Sequence, residues 1–130
     1  MSTTLLIQSY THLQNYLQQL ALRLGQGEIN ASQAIAMGQE LARCWQTQLA
    51  TSTGENLAPT IFSQWRSLHT EIHRELRLLS MDLMFLGSSR SAQTQAAKQK
   101  IAGDRLQKIL QYCSQIQQII CPDDPHTPAT

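Results

Sequence analysis

Between Pro59 and Gly87 the sequence carries Ile61, Trp65, Leu68, Ile72, Leu76, Leu79, Leu83 and Leu86 at steps of three or four residues, with no glycine or proline in between. Steps of three and four return to one side of a 3.6-residue helix, so this segment predicts a helix with a single apolar stripe along its whole length. At about 1.5 Å per residue such a rod reaches roughly 40–45 Å. A rod greasy on one side must bury that side against other elements, and this requirement dominates what the chain can fold into.

The partners are in the same sequence. Leu6, Tyr10, Leu13, Leu17, Leu20 and Leu24 repeat the pattern near the start, and Gly25 and Gly27 are expected to stop that helix. Asn30 with Gln33 has the form of a capping pair opening a second helix that runs to about Leu49, with Ile35, Leu41, Ala42, Trp45 and Leu49 inward. Gly38 inside this helix implies either close packing or local softness. Residues Ala50 to Pro59 read as the one internal loop, and Pro59 suits a first helical turn, where its missing N–H costs nothing. After Gly87-Ser-Ser-Arg-Ser91, a fourth helix carries Ala102, Leu106, Ile109, Cys113, Ile116 and Ile120, and Pro122 ends it. The expected fold is therefore all-α, an antiparallel up-down-up-down four-helix bundle over residues 1–121 with a disordered tail over 122–130. Helices three and four should each exceed the first two, at about 30–35 Å, so the second hairpin is expected to project. Leu83, Phe85 and Leu86 would then be half covered and form a contact surface.

Composition narrows the function classes. Ten Lys or Arg against nine Asp or Glu give a net charge of +1, too near neutral for a protein held to nucleic acid by bulk electrostatics. Eighteen glutamines often take helix-surface positions where Lys and Glu would sit. Cys44, Cys113 and Cys121 have no CxxC spacing, which predicts free buried thiols in a reducing cytosol. The opening MSTTLLIQSYTHLQ lacks the basic region and apolar core of a secretory signal, and no apolar run is long enough to span a bilayer. These features predict a cytoplasmic protein with no membrane partner.

The stretch HTEIHRELRLL, His69 to Leu79, holds the candidate chemistry. It is not the H-E-x-x-H of a zinc protease. At about 100° per residue, Glu71 points away from the midpoint of His69 and His73 and cannot serve a metal held by both. No cofactor or metal is predicted. Arg66 and His73 resemble the R-x4–6-H element of HEPN-type ribonucleases, in which the two residues handle phosphate and proton transfer. They lie about 20° apart on one helical face, but the element sits in the third helix and is followed only by Ser67. The same geometry places Arg66, His73, Arg77 and Met84 on one strip, with His69 and Ser80 flanking and Glu71, Glu75 and Asp82 on another face. Two readings follow. One is an ordinary solvated helix stabilised by Glu–Arg pairs. The other is a weakly basic strip suited to an acidic protein surface. Trp45 and Trp65 lie on core stripes and are expected to be buried. Met81, Met84 and Phe85 fit core filling or an adaptable binding edge equally well. Lys98, Lys100 and Lys108 are expected on a solvated face.

The segments WRSLHTEIHRELRLLSMDLMFLGSSRS, Trp65 to Ser91, and DRLQKILQYCSQI, Asp104 to Ile116, resemble the cyanobacterial heterocyst frequency control protein PatD family. The likeness is strongest in EIHRELRLLSMDLMFL; the first half matches mainly in length and helical pattern. The resemblance implies a non-enzymatic cytoplasmic protein that binds the tubulin-like division GTPase FtsZ, promotes its assembly or bundling, and lowers heterocyst frequency. Carried over by position, the contact surface would comprise Arg66, His69, His73, Arg74, Arg77, Asp82 and Phe85. Bundling needs two binding sites, which a homodimer through the projecting hairpin would supply. A helical scaffold for another protein is the remaining alternative.

Overall fold

The computed structural model describes residues 3–26, 30–54, 57–88 and 91–120 and contains four helices, α1 (Thr3–Gln26), α2 (Ala31–Gln48), α3 (Pro59–Ser88) and α4 (Ala92–Ile120), with no strand among the described residues. The predicted tail over 122–130, Cys121, Pro122 and Gly27 lie outside the described residues. Each helix begins where local chemistry allows. Asn30 accepts from the Gln33 N–H at 2.9 Å while the Gln33 side chain accepts from the Asn30 N–H at 3.1 Å, a complete capping box. Ser91 does the same service for α4, its Oγ accepting from the Thr94 N–H at 3.0 Å. Pro59 is the first residue of α3, which then runs unbroken for 30 residues.

The helices form a bundle in which α3 packs extensively on both α2 and α4, α1 rests on α4, and the seam between α1 and α2 is the thinnest. Gly38 lies against Ser80 and Leu83, Trp45 against His73 and His69, and Gly54 would bring a Cβ onto Trp65 and Phe62. Positions rise along one segment as they fall along the other, so α2 and α3 are antiparallel. The contacts of Lys98 with Phe85 and of Lys108 with Glu75 give the same sense for α3 and α4.

The core contains the predicted stripes of α1 and α4 without exception, from Leu6 to Leu24 and from Ala102 to Ile120. On α3, Trp65, Ile72, Leu76, Leu79, Leu83 and Leu86 are buried, while Ile61 and Leu68 are only half-buried. The inward face of α2 differs from the expected one. Leu41, Trp45 and Leu49 are inside, but Ile35 and Ala42 are exposed, and Ala34, Met37 and Cys44 take their places. The reason is the close approach at Gly38, whose carbonyl accepts from Ser80 Oγ at 3.2 Å. That bond and the contact of Gly38 with Ser80 and Leu83 hold this edge of α2 on α3.

Length gives a second correction. The helices of the second hairpin, 30 and 29 residues, do exceed the 24 and 18 of the first. Yet Leu83 and Leu86 are 0% and 2% exposed, so the hairpin end is not left half covered. The N-terminal half of α2 sits level with that end of α3. The surplus length of α3 lies at its other end, where α2 has stopped and the loop takes over. There Gly54, at φ 71°, folds over Trp65 and Phe62, and Leu57 packs on the core. Of Leu83, Phe85 and Leu86 only Phe85 is exposed, with Lys98 Nζ 5.0 Å from its ring centre.

Candidate protein-binding face

Six of the seven positions carried over by the resemblance fall into three environments, and Phe85 stands apart under Lys98. Asp82 and Arg74 are committed inside the molecule. Asp82 accepts from Arg105 Nε at 2.7 Å, and Arg74 bridges Glu71 at 3.0 Å and Glu75 at 3.2 Å. Glu75, expected on a solvated face, is 1% exposed, and its carboxylate also takes Arg105 at 2.7 Å and Lys108 at 3.4 Å. Burial pushes this carboxyl up, but the Arg105 and Lys108 donors outweigh it and hold it below the ordinary glutamate range. Lys108 therefore belongs to an interhelical network, and Lys98 to Phe85. Lys100, paired with exposed Asp104 at 3.2 Å, is solvated as expected.

His69 forms the second environment. It is packed among Tyr10, Trp45 and Trp65, with ring centres 6.0, 4.7 and 4.6 Å away. Tyr10 Oη is hydrogen-bonded to His69 Nδ1, and the Trp65 Nε1–H donates to Tyr10 Oη at 3.1 Å. Burial, then the neighbouring His73, lowers the His69 pKa to about 4, against a hydrogen bond with the Leu49 backbone. The ring is thus neutral at pH 7, Nδ1 accepts the tyrosine proton, and a polar chain ties α1, α3 and the end of α2 together. The half-buried ring acts as an internal fastening. Protonation would turn Nδ1 into a donor facing a donor. The unfolded chain, with an ordinary histidine, binds the proton more readily, so stability is full above about pH 6.5 and falls as pH drops toward 4. Allowing for partial solvent access, acidification from pH 7 to pH 5 should cost about 1–2 kcal/mol. Urea unfolding at the two pH values checks this, and His69→Gln should largely remove the difference.

The third environment is the outer face of α3. Arg66 and Arg77 are exposed and make no ion pair with any described residue. His73 lies flat on Trp45, ring centres 5.2 Å apart and planes 14° off parallel. Met81 and Met84 are 48% and 55% exposed, which resolves them as surface and not core filling. Between α2 and α3 this face opens into a groove of about 510 Å³ lined by Trp45, His73, Leu76, Arg77, Ser80 and Met81, among others. The Trp45 indole N–H, buried, has no acceptor among the described residues. Arg66 lines a different depression, with Phe62, Ser63, Ser67, Thr70 and Glu71. His73 also lines a shallow depression with Thr70, Arg74 and Arg77, which adjoins the Arg66 depression at Thr70.

Cys44 and Cys113 are free and buried, and burial pushes the Cys113 thiol up to about 12, which keeps it protonated and unreactive. The described residues contain no cluster of three or more His, Cys, Asp or Glu that could hold a metal, and no helix long and apolar enough to cross a membrane. The molecule is a four-helix bundle whose α3 bears an exposed, weakly basic face. No protein-family model, curated protein or solved structure matches the chain.

Proposed function

We propose that this protein is a non-enzymatic, cytoplasmic helical regulator that binds FtsZ and modulates its filament assembly or bundling, with an influence on heterocyst frequency. One observation supports it most: Arg66 and Arg77 make no ion pair with any described residue, on a continuous α3 whose carboxylates and Arg74 are all paired within the chain. A rigid helix with free cations beside exposed methionines suits an acidic, apolar-studded protein surface. FtsZ surfaces are generally acidic, and the PatD-like sequence of this helix points the same way. The contact set contracts accordingly. Arg66, Arg77 and the His73 edge serve binding, while His69 and Asp82 hold the bundle and Arg74 is paired along its own helix.

Sedimentation of FtsZ with GTP tests this reading. An equimolar amount of this protein should raise the pelleted polymer, and Arg66→Glu with Arg77→Glu should abolish the rise while helicity by circular dichroism stays unchanged. Unchanged pelleting with the wild-type protein would remove FtsZ as the partner.

A further inference from the structure

All five described carboxylates, Glu40, Glu71, Glu75, Asp82 and Asp104, are in ion pairs within the chain. Arg66 and Arg77 have no described carboxylate left to them. The two are eleven residues apart on α3, about 20° apart around the axis and about 16 Å apart along it. Met84 falls on the same line beyond Arg77, and Met81 beside it. The groove runs along α3 from His73 to Met81 with Arg77 on its rim, over a floor that includes Trp45 and Leu76, and Arg66 lies beyond it. A charge at each end of a line, with an apolar trough between α2 and the upper one, is the complement of an acidic amphipathic helix and not of a single anion.

We infer that the α2–α3 groove is the docking site for an acidic amphipathic helix of a partner protein. The apolar anchors of that helix lie against Met81 and the Trp45–Leu76 floor, and carboxylates spaced about three turns apart reach Arg77 and Arg66. Two anchor types at fixed spacing give register as well as attraction. The ion pairs form at an exposed rim, so they set orientation and salt dependence, and the apolar anchor supplies most of the affinity. The inference rests on the protein-binding reading above but not on FtsZ being the partner.

The probe is a labelled 18-residue synthetic helix with leucines on one face and glutamates flanking them, two of the glutamates eleven residues apart. Fluorescence anisotropy should show saturable binding to the full chain. Arg77→Glu should weaken it by about tenfold or more and Met81→Lys by a comparable factor. Arg23→Glu, on the far helix α1, should leave it unchanged. A lysine version of the peptide should bind the wild type poorly and the Arg66→Glu/Arg77→Glu chain better. Arg77→Gln guards against a folding artefact, since it should lie between wild type and Arg77→Glu. Equal affinity for wild type and Arg77→Glu overturns the proposal. So does tighter binding of a single-stranded oligonucleotide than of the peptide, or a dimer that Met81→Lys converts to monomer without affecting the peptide. If the peptide binds through Arg77 but FtsZ does not respond, only the partner's identity falls; if FtsZ responds and the peptide does not bind, the groove falls.

Discussion

Replacing Arg105 by methionine is expected to cost about 1–3 kcal/mol, because it removes the shortest ion pair of the buried Glu75 carboxylate together with the Asp82 pair. Glu75 is 1% exposed, and its contacts with Arg105 and Lys108 reach across from α4. Arg105 also holds Asp82 at 2.7 Å, so one guanidinium joins two turns of α3 to α4. Removing the cation leaves the desolvation of Glu75 offset only by the more exposed Arg74 and Lys108. A double variant separates the loss of the ion pair from the burial of a charge. Glu75→Met with Arg105→Met removes both charges and should recover most of the loss, since apolar replacement of a whole buried pair is often neutral or better. Chemical denaturation of the three variants measures it. A loss below about 1 kcal/mol for Arg105→Met would mean that the network behaves as a surface one. The folded Glu75 carboxyl titrates below its ordinary value, so its contribution is present above about pH 4.5 and is lost on further acidification. That window lies below most of the one in which His69 acts, and an acid titration should therefore show two successive losses.

Gly54→Ala should lower stability by about 2–4 kcal/mol, from two sources that add. The residue has φ 71°, a left-handed conformation costing an L-residue about 1–2 kcal/mol. A Cβ would also stand 2.7 Å from Trp65 Cζ3 and 2.9 Å from Phe62 Cδ1, contacts that force the indole to move, and overpacking of this kind costs about 1–3 kcal/mol. Trp65 cannot shift freely, because its N–H is donated to Tyr10 and so coupled to His69. The variant should lose roughly 10 °C in Tm and alter the near-ultraviolet circular dichroism of Trp65. A Tm within 2 °C of wild type, on the order of measurement scatter, would show that the loop does not seal this end of the bundle.

Both predictions concern charges and loops already committed to the fold, and they explain why the binding face is as small as it is. Most titratable groups on α3 have internal duties: Glu71, Arg74, Glu75 and Asp82 in ion pairs, and His69 in the Tyr10–Trp65 chain. What is left over, Arg66, Arg77 and the two methionines, is the part of the helix that can be exchanged for a partner without cost to the bundle.

The sequence by itself determined the four helices, the starts of α2 and α3, and the stripes of α1 and α4. The Asn30–Gln33 box, Pro59 at the first turn of α3 and all six inward positions of α4 depend on residues within one or two turns of each other, and such short-range rules are legible in one dimension. Only the tertiary structure decided which second face each helix covers. Glu75 lies 30 residues from Arg105 and His69 lies 59 from Tyr10, so no local pattern marks either as interior. The axial offset of α2 along α3, set by close packing at Gly38 and by the loop standing in for missing helix at Gly54, moved the inward edge of α2 and closed the end expected to project. Periodicity fixes one apolar face per helix; burial of a polar group is fixed by what a distant helix brings to meet it.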